Sequence, residues 1–228
     1  MHSLYPGEEF SAKPRSQQTY NTAMANEDDA LGLTSALQLP EGHERTAALA
    51  AWVQSLFSSD ASRPVLVGGA AVEIYSGGAY TTGDLDFVGT VPSEVAARLE
   101  AAGFERQGRH WIHEAGQVFL EFPGSHLEPP EQAVRLQVGA WQIFALSPED
   151  VLVDRLAAWQ FWRSALDGVT SFHLWQKLSH GLDLSRLERA AEIRGVRQAL
   201  ESLQRLTVML QDQEPTPEEL AEWAKKNP

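Results

Sequence analysis

The chain has 228 residues, which suits one compact domain or two small ones, and its 43% hydrophobic residues suffice for a buried core. With 31 acidic and 18 basic residues, the formal net charge is −13, which disfavours non-specific binding to the phosphate backbone of nucleic acids. The absence of cysteine excludes disulfides, thiolate catalysis and cysteine-ligated zinc.

The N-terminal residues show no targeting pattern. They lack the basic stretch followed by an apolar stretch that marks a secretory signal, and no segment approaches the roughly 18–20 uninterrupted apolar residues of a membrane span. We therefore expect a cytoplasmic protein without membrane contact. Residues 1–40 are rich in polar residues and show little apolar periodicity, which predicts a mobile N-terminal tail.

Residues 41–146 alternate between helical and strand-like patterns. Apolar spacing predicts a helix over residues 44–57, and the apolar run at 64–67 predicts a short buried strand. Two glycine pairs then bracket a short helix, which is followed by a strand of alternating acidic and apolar residues. After a helix between Pro92 and Gly103, a series of short strand-like segments completes a single mixed sheet.

Residues 147–228 have a helical character throughout. Ser147, followed directly by a proline and two acids, is a typical helix start. The first helix is predicted to end near Gly168, and Ser185 with Glu188 predicts a capping box for a later helix. The fold class indicated by the whole pattern is α+β: a small mixed sheet with flanking helices, followed by an all-helical C-terminal half.

Two features of residues 65–88 carry chemical information. Asp84 and Asp86 are two residues apart, so on a strand both carboxylates point to one face, where they repel each other unless a cation lies between them. Carboxylate oxygens on a rigid strand suit Mg²⁺, which takes its other ligands from water and substrate phosphates. Upstream, Gly68 and Gly69 leave backbone N–H groups free at a helix N-terminus, which is a geometry that binds anions such as a triphosphate.

Each feature also has a simpler interpretation. The two acids fit the solvated face of a half-buried strand, and the glycine pair fits a turn without a ligand. Apolar Leu85 and Phe87 oppose the first interpretation, because they place the strand inside the sheet, where unpaired acids are costly. The presence of both features in one short segment, in this order, favours a site for a nucleotide and a metal ion.

The pattern resembles the nucleotidyltransferase superfamily typified by DNA polymerase beta and the minimal nucleotidyltransferases. There, an apolar strand, a Gly-Gly or Gly-Ser pair, a short helix and an Asp-x-Asp or Asp-x-Glu strand precede a third carboxylate on a later strand. The matching residues are Gly68, Gly69, Asp84 and Asp86. Glu121, between Leu120 and Phe122, is the candidate third acid; its alternative is an outward residue of an edge strand.

The resemblance extends over roughly residues 47–195. Through VFLEFPGS, LSPEDVLVDRLAAWQFW and LDLSRLERAAEIRG the chain is similar to a largely uncharacterised bacterial group related to abortive-infection toxin nucleotidyltransferases. It implies a nucleotidyltransferase-like core over residues 41–146 that transfers NMP from an NTP, such as ATP, to a hydroxyl of RNA, protein or a small molecule. The implied partners are a tRNA or protein acceptor and a toxin–antitoxin partner.

The resemblance also implies roles for individual residues. It gives catalysis and metal binding to Asp84, Asp86 and Glu121. It gives nucleotide binding to Gly68, Gly69 and Thr82. In the implied reaction, Mg²⁺ or Mn²⁺ ions bridge the triphosphate and the attacking hydroxyl, Glu121 or Asp86 helps to remove the proton, and pyrophosphate leaves.

Two departures from the superfamily pattern keep a catalytically inactive protein as the alternative. Relatives often carry a basic residue where this chain has Ala79 and Tyr80, so that phosphate contact is missing or comes from Arg155 or Lys177, for which surface solvation is the favoured alternative. The second glycine, Gly69, is often serine in active relatives. An inactive protein would bind a nucleotide or a partner protein, for example in a toxin–antitoxin pair.

Other interpretations receive less support. A metal site at His110 and His113 is disfavoured, because strand spacing places the two side chains on opposite faces. The aromatic residues Trp159, Phe161 and Trp162 fit a hydrophobic core better than a base-stacking surface. A glycosyltransferase that uses Asp-x-Asp is disfavoured by the glycine pair before the short helix. A basic helical face that receives tRNA ends stays open, because the overall negative charge is unevenly spread.

Overall fold

The computed structural model describes residues 28–210 and 215–227. Over these residues the chain forms nine helices and one seven-stranded mixed sheet, which confirms the predicted α+β class. The helices are α1 (28–37), α2 (His43–Ser55), α3 (Gly68–Ser76), α4 (Ser93–Ala101), α5 (Pro148–Trp162), α6 (Ala165–Leu178), α7 (Leu184–Arg194), α8 (Arg197–Leu210) and α9 (Pro217–Lys226). The strands are β1 (Val65–Val67), β2 (Asp84–Val88), β3 (Glu105–Gln107), β4 (His110–His113), β5 (Val118–Gly124), β6 (Ala133–Val138) and β7 (Trp141–Leu146).

Strand β2 occupies the centre of the sheet, whose order is β3-β4-β5-β2-β1-β7-β6. It pairs with β1 in antiparallel and with β5 in parallel orientation. Strands β1 and β7 are parallel, and the outer pairs are antiparallel. Both edges of β2 are hydrogen-bonded to neighbouring strands, and its side chains alternate between the two faces of the sheet.

Helices α1, α2 and α4 cover one face of the sheet. Leu85 and Phe87 of β2 point into this core and pack with buried residues of α2 and α4 such as Val53 and Leu99. Apolar and acidic residues alternate along β2 because one face of the strand is buried against helices, as expected from the sequence.

The described end of the predicted N-terminal tail is helical. Residues 28–37 form helix α1, with Leu33 and Ala36 buried in the first core. Arg98 of α4 donates two hydrogen bonds to the Asp29 carboxylate, at 2.7 and 2.5 Å, which attaches α1 to α4. The described part of α1 is short and begins with two acids, Asp28 and Asp29, so its apolar periodicity was too weak to predict a helix. Residues 1–27 lie outside the described residues.

Helices α5–α9 build a second core, which also includes residues of α3 and β7 such as Tyr75 and Leu146. As predicted, Ser147 caps α5: its Oγ accepts a hydrogen bond from the Asp150 N–H at 3.2 Å. Arg186 of α7 donates to Glu149 at 3.2 Å and pairs with Asp150, so both carboxylates of this buried junction share one cation.

Two predicted helix boundaries are wrong. Helix α5 ends at Trp162, and Gly168 lies inside α6, where a Cβ atom would be 2.7 Å from Trp159 Nε1 and 2.9 Å from Ala224 Cβ. This glycine allows three helices to approach closely, and it does not end one. The N-cap of helix α7 is Asp183, whose carboxylate accepts a hydrogen bond from the Arg186 N–H at 2.9 Å. The predicted capping box of Ser185 and Glu188 is therefore wrong. None of the helices in the described ranges is long and apolar enough to cross a membrane.

Candidate active site

Strands β2 and β5 together present an acidic face, formed by Asp84, Asp86 and Glu121. Asp84 and Asp86 lie on the face of β2 opposite the buried side chains of Leu85 and Phe87. The parallel register places Asp86 directly beside Glu121, which therefore points to the same face of the sheet. The fold thus puts the three acids predicted from the sequence on one face of the sheet.

The electrostatics of Asp86 indicate negative charge that the protein only partly compensates. Burial raises the pKa of the Asp86 carboxyl, and the negative charges of Glu121 and Asp84 raise it further. The positive charges of Arg155 and Arg109 act in the opposite direction but do not cancel the increase. A cation bound among these carboxylates would remove this penalty.

Glu121 has protein partners of its own. Arg109 Nε lies 2.8 Å from Glu121 Oε1, and His110 Nδ1 lies 3.6 Å from Glu121 Oε2. Within the described ranges, no group of three His, Asp or Glu side chains is arranged closely enough to hold a metal ion. His113 accepts a hydrogen bond from the Gly116 N–H at 2.9 Å, so the two histidines of β4 serve different partners.

The glycine turn, Gly68–Gly69, lies against the acidic face. Gly68 begins α3 with a φ of +62°, a left-handed conformation that favours glycine. A Cβ atom at this position would lie 2.2 Å from Asp86 Oδ2, so only glycine leaves room for the carboxylate. The N-cap residue of α3 is Val67, whose side chain provides no hydrogen bond to the first N–H groups of the helix.

The space beside Gly69 is filled by Thr82. A Cβ atom at position 69 would lie 2.8 Å from Thr82 Oγ1 and 3.0 Å from Thr82 Cβ. The hydroxyl of Thr82 thus occupies the volume that a serine at position 69 would need. Position 69 is therefore glycine and not serine for a local steric reason. The hydroxyl beside the turn belongs to Thr82.

Arg155 of α5 is partly buried, which contradicts the expectation that it is solvated at the surface. Its side chain is 19% exposed and pairs with Asp154 at 2.5 Å and Asp167 at 2.8 Å. Burial lowers the pKa of Arg155, but the two carboxylates more than offset this, so its charge is retained. Its buried Nε has no hydrogen-bond partner among the described residues. The positive charge of Arg155 also acts on Asp86, where it partly opposes the rise in the pKa of that carboxyl.

Lys177, the other basic candidate, lies elsewhere. Its Nζ would be 3.6 Å from a Cβ atom at Gly77, which is the C-cap residue of α3. The glycine turn lies at the opposite end of the same helix. Lys177 is exposed and is placed to interact with the negative end of the α3 dipole, so the structure does not bring it to the acidic face.

The aromatic residues of α5 divide into two groups. Trp159 is fully buried and donates from Nε1 to the Ala224 carbonyl at 2.8 Å, which confirms its predicted place in the core. Phe161 and Trp162 are 57% and 85% exposed, so the same prediction is wrong for them. They lie in the last turn of α5, beyond the part of the helix that packs against its neighbours.

A cavity of about 660 Å³ lies at the end of the sheet where β2 and β5 begin. Residues from the start of α2, from α3, from the loop before β2 and from the start of β5 line it. Glu73 of α3 is the buried polar residue among them. Glu73 was not among the predicted site residues, although an acid within the otherwise apolar run AAVEIY is an unusual feature of the sequence.

Comparison of the chain with protein-family models, with curated proteins and with solved structures finds no match. Function must therefore be inferred from the chemistry and geometry of the site itself.

Proposed function

We propose that this protein is a Mg²⁺-dependent nucleotidyltransferase that transfers NMP from an NTP to an acceptor hydroxyl. The observation that carries the proposal is the register of β2 and β5, which places Asp86 beside Glu121 on the face that also meets the glycine turn. Paired carboxylates next to an anion-binding helix start are the two parts that a metal–triphosphate complex requires.

The triphosphate would bind at the glycine turn. The N–H groups at the start of α3 would donate to its phosphate oxygens, and Gly68 and Gly69 let the phosphates approach the backbone closely. Thr82 places its hydroxyl beside the turn as a further donor. Arg155 of α5 acts electrostatically on Asp86, although it also pairs with Asp154 and Asp167.

Asp84 and Asp86 fit a magnesium ion as its protein ligands. Their oxygens are the hard donors that Mg²⁺ prefers, and the raised pKa of Asp86 marks negative charge that a cation would compensate. The bound ion would neutralise the charge of the triphosphate. Glu121 is already paired with Arg109, which makes it the weaker candidate ligand.

Titration calorimetry of each NTP, with and without Mg²⁺, tests the proposal. We expect Mg²⁺-dependent binding to the native chain and its loss in the Asp84→Asn/Asp86→Asn variant, whose fold should persist because carboxylate repulsion is removed. The matched control is Glu94→Gln/Glu100→Gln, which removes the same charge from exposed positions of α4 and should bind as the native chain does.

Two outcomes would count against the proposal. Binding that persists in the Asp84/Asp86 variant would place the nucleotide elsewhere, and unfolding of that variant would make both acids structural. The pairing of Glu121 with Arg109 favours a second candidate, an inactive protein that binds nucleotide without transferring it. Mg²⁺-dependent binding without pyrophosphate release, in the presence of cellular RNA, protein and metabolites, would support that candidate.

A further inference from the structure

Tyr80 lies in the segment between α3 and β2, with its ring beside the glycine turn. A Cβ atom at Gly69 would lie 3.4 Å from Tyr80 Cε1. The phenol oxygen of a tyrosine is two bonds from that carbon, so the Tyr80 hydroxyl is also close to the turn. Thr82 Oγ1 lies 2.8 Å from the same Cβ position. Two side chains that carry hydroxyls, Tyr80 and Thr82, therefore border Gly69.

The side chain of Tyr80 is held in place by packing and by its backbone. It is partly buried and packs against the second core. The Tyr80 backbone N–H donates to Ser76 Oγ at 3.3 Å, and Ser76 Oγ donates to the Glu73 carbonyl at 3.1 Å. The segment that carries Tyr80 is thereby attached to α3. A side chain fixed in this way loses little conformational entropy when it binds a ligand.

The hydroxyl of Tyr80 differs from that of Tyr75 in its partners. Within residues 28–210 and 215–227, no side-chain hydrogen bond involves the Tyr80 hydroxyl, whereas the Tyr75 hydroxyl donates to the Leu146 carbonyl at 2.9 Å. The O–H group of a buried tyrosine usually has a hydrogen-bond partner. The Tyr80 hydroxyl is therefore a donor that a phosphate oxygen at the neighbouring helix start could accept from.

A positive charge acts close to the Tyr80 phenol group. Tyr80 is among the groups that raise the pKa of Arg155, so the phenol and the guanidinium group lie within electrostatic range of each other. Arg155 also acts on Asp86 of the acidic face. A nearby cation polarises an O–H bond and makes it a stronger donor to an anion. The surroundings of Tyr80 thus favour a hydrogen bond to a negatively charged ligand.

We propose that Tyr80 is a further triphosphate-binding residue, whose hydroxyl donates a hydrogen bond to a phosphate oxygen held at the glycine turn. The inference rests on the proposed function for the identity of its ligand, because it adds a contact to the same nucleotide site. Tyr80 and Thr82 bind the phosphates from the side of Gly69, and the N–H groups at the start of α3 bind them from the helix. The hydroxyl keeps its proton throughout, so it contributes to binding of the triphosphate and takes no part in bond breaking.

Titration calorimetry with inorganic tripolyphosphate and Mg²⁺ tests this contact without a nucleoside. Tyr80→Phe removes the hydroxyl and keeps the ring that packs against the second core, so its melting temperature without ligand should equal that of the native chain. We expect this variant to bind tripolyphosphate about tenfold more weakly, which is the effect of losing one charge-assisted hydrogen bond.

Thr81→Val is the matched control, because it removes a hydroxyl from the adjacent residue of the same segment. Thr81 is exposed, lines the cavity at the start of β2 and β5, and is not among the nearest neighbours of Gly69. Its variant should bind tripolyphosphate within about twofold of the native chain. Native-like binding by Tyr80→Phe would overturn the proposal. Equal losses in both variants would also overturn it, since they would trace the effect to the conformation of the segment.

The two proposals fail in different measurements. In the Asp84→Asn/Asp86→Asn variant, tripolyphosphate without Mg²⁺ tests the glycine turn apart from the metal site, and the addition of Tyr80→Phe should weaken this binding too. NTP binding that needs no Mg²⁺ but is weakened by Tyr80→Phe would remove the proposed function and keep the Tyr80 contact. Mg²⁺-dependent NTP binding that Tyr80→Phe leaves unchanged would keep the function and exclude the contact. Absence of tripolyphosphate binding in all of these proteins would overturn the contact as well.

Discussion

Asp86 of the acidic face lies against Gly68 of the glycine turn, so the shape of the candidate site depends on the absence of a side chain at position 68. The sequence identified both residues, because an Asp-x-Asp strand and a glycine pair are visible as patterns. It could not show that the Asp86 carboxylate lies against Gly68, because that contact depends on the antiparallel pairing of Val67 with Asp86. Glu73 was missed for the same reason: only the folded chain shows that an acid in an apolar helix borders a cavity.

Replacement of Gly68 by alanine should damage the site and the fold together. The left-handed φ of +62° and the 2.2 Å approach to Asp86 Oδ2 both oppose a Cβ atom. We expect Gly68→Ala to lower the free energy of unfolding by at least about 2 kcal/mol, measured by urea denaturation. Gly83→Ala is the control, because a Cβ atom there meets nothing within 4 Å. Equal stability of the two variants would contradict this account of the glycine turn.

The buried carboxyl of Glu73 predicts a pH-dependent difference in stability. Its raised pKa means that the folded chain binds this proton more tightly than the unfolded chain, so the native protein loses stability as pH rises through that pKa. Glu73→Gln has no such proton. The melting temperature of the variant relative to the native chain should therefore increase from pH 4 to neutral pH, by about 2–4 °C for each 1 kcal/mol of relief.

Thermal unfolding of both proteins across this pH range measures the effect directly. The difference between the two melting temperatures isolates Glu73, because every other titrating group is common to them. A difference that is constant, or that decreases as pH rises, would show that burial does not raise the Glu73 pKa.

Elements were easier to predict than their contacts. The five short strands after α4 were all expected, since apolar alternation and turn residues mark them locally. Local signals also identified the start of α5 at Ser147. They failed at Gly168, because a glycine that ends a helix and a glycine that allows neighbouring helices to approach are identical in sequence. The distinction comes from Trp159 and Ala224, which are distant in the chain and adjacent in space.

Gly168→Ala should loosen the packing of α6 against α5 and α9. The added Cβ would lie 2.7 Å from Trp159 Nε1, which donates the hydrogen bond that holds Ala224 of α9. We expect a loss of about 1–3 kcal/mol in the free energy of unfolding, with a change in tryptophan fluorescence. Gly181→Ala, where a Cβ atom would make only an ordinary contact at 3.7 Å, should change stability by less than about 0.5 kcal/mol. Similar losses in both variants would argue against close packing at Gly168.

At the scale of the whole molecule, the two regions predicted from the sequence share elements. Helix α3 contributes Ala70 and Ile74 to the first core and Val72 and Tyr75 to the second. The hydroxyl of Tyr75 donates to the Leu146 carbonyl at 2.9 Å, which joins α3 to the end of the sheet. The sequence suggested a boundary at residue 147, because a continuous helical pattern begins there. Helical periodicity carries no information about which residues pack across that boundary.

The shared helix predicts that the chain unfolds as one cooperative unit. Because opening either core would expose residues of α3, the two regions should lose structure together. Circular dichroism in the far ultraviolet and tryptophan fluorescence should give coincident urea transitions, and calorimetry should give one peak. Two separated transitions would show that the sheet and the helices α5–α9 are independent domains.

The position of Arg155 has a consequence for modularity. This side chain belongs to the helical part of the chain, yet its charge acts on Asp86 in the sheet, and Asp167 of α6 holds it in place. A fragment cut before Ser147 would keep the three acids and the glycines but lose this counter-charge. The site is therefore a composite of both regions, and neither could be transplanted to another scaffold with its electrostatics intact.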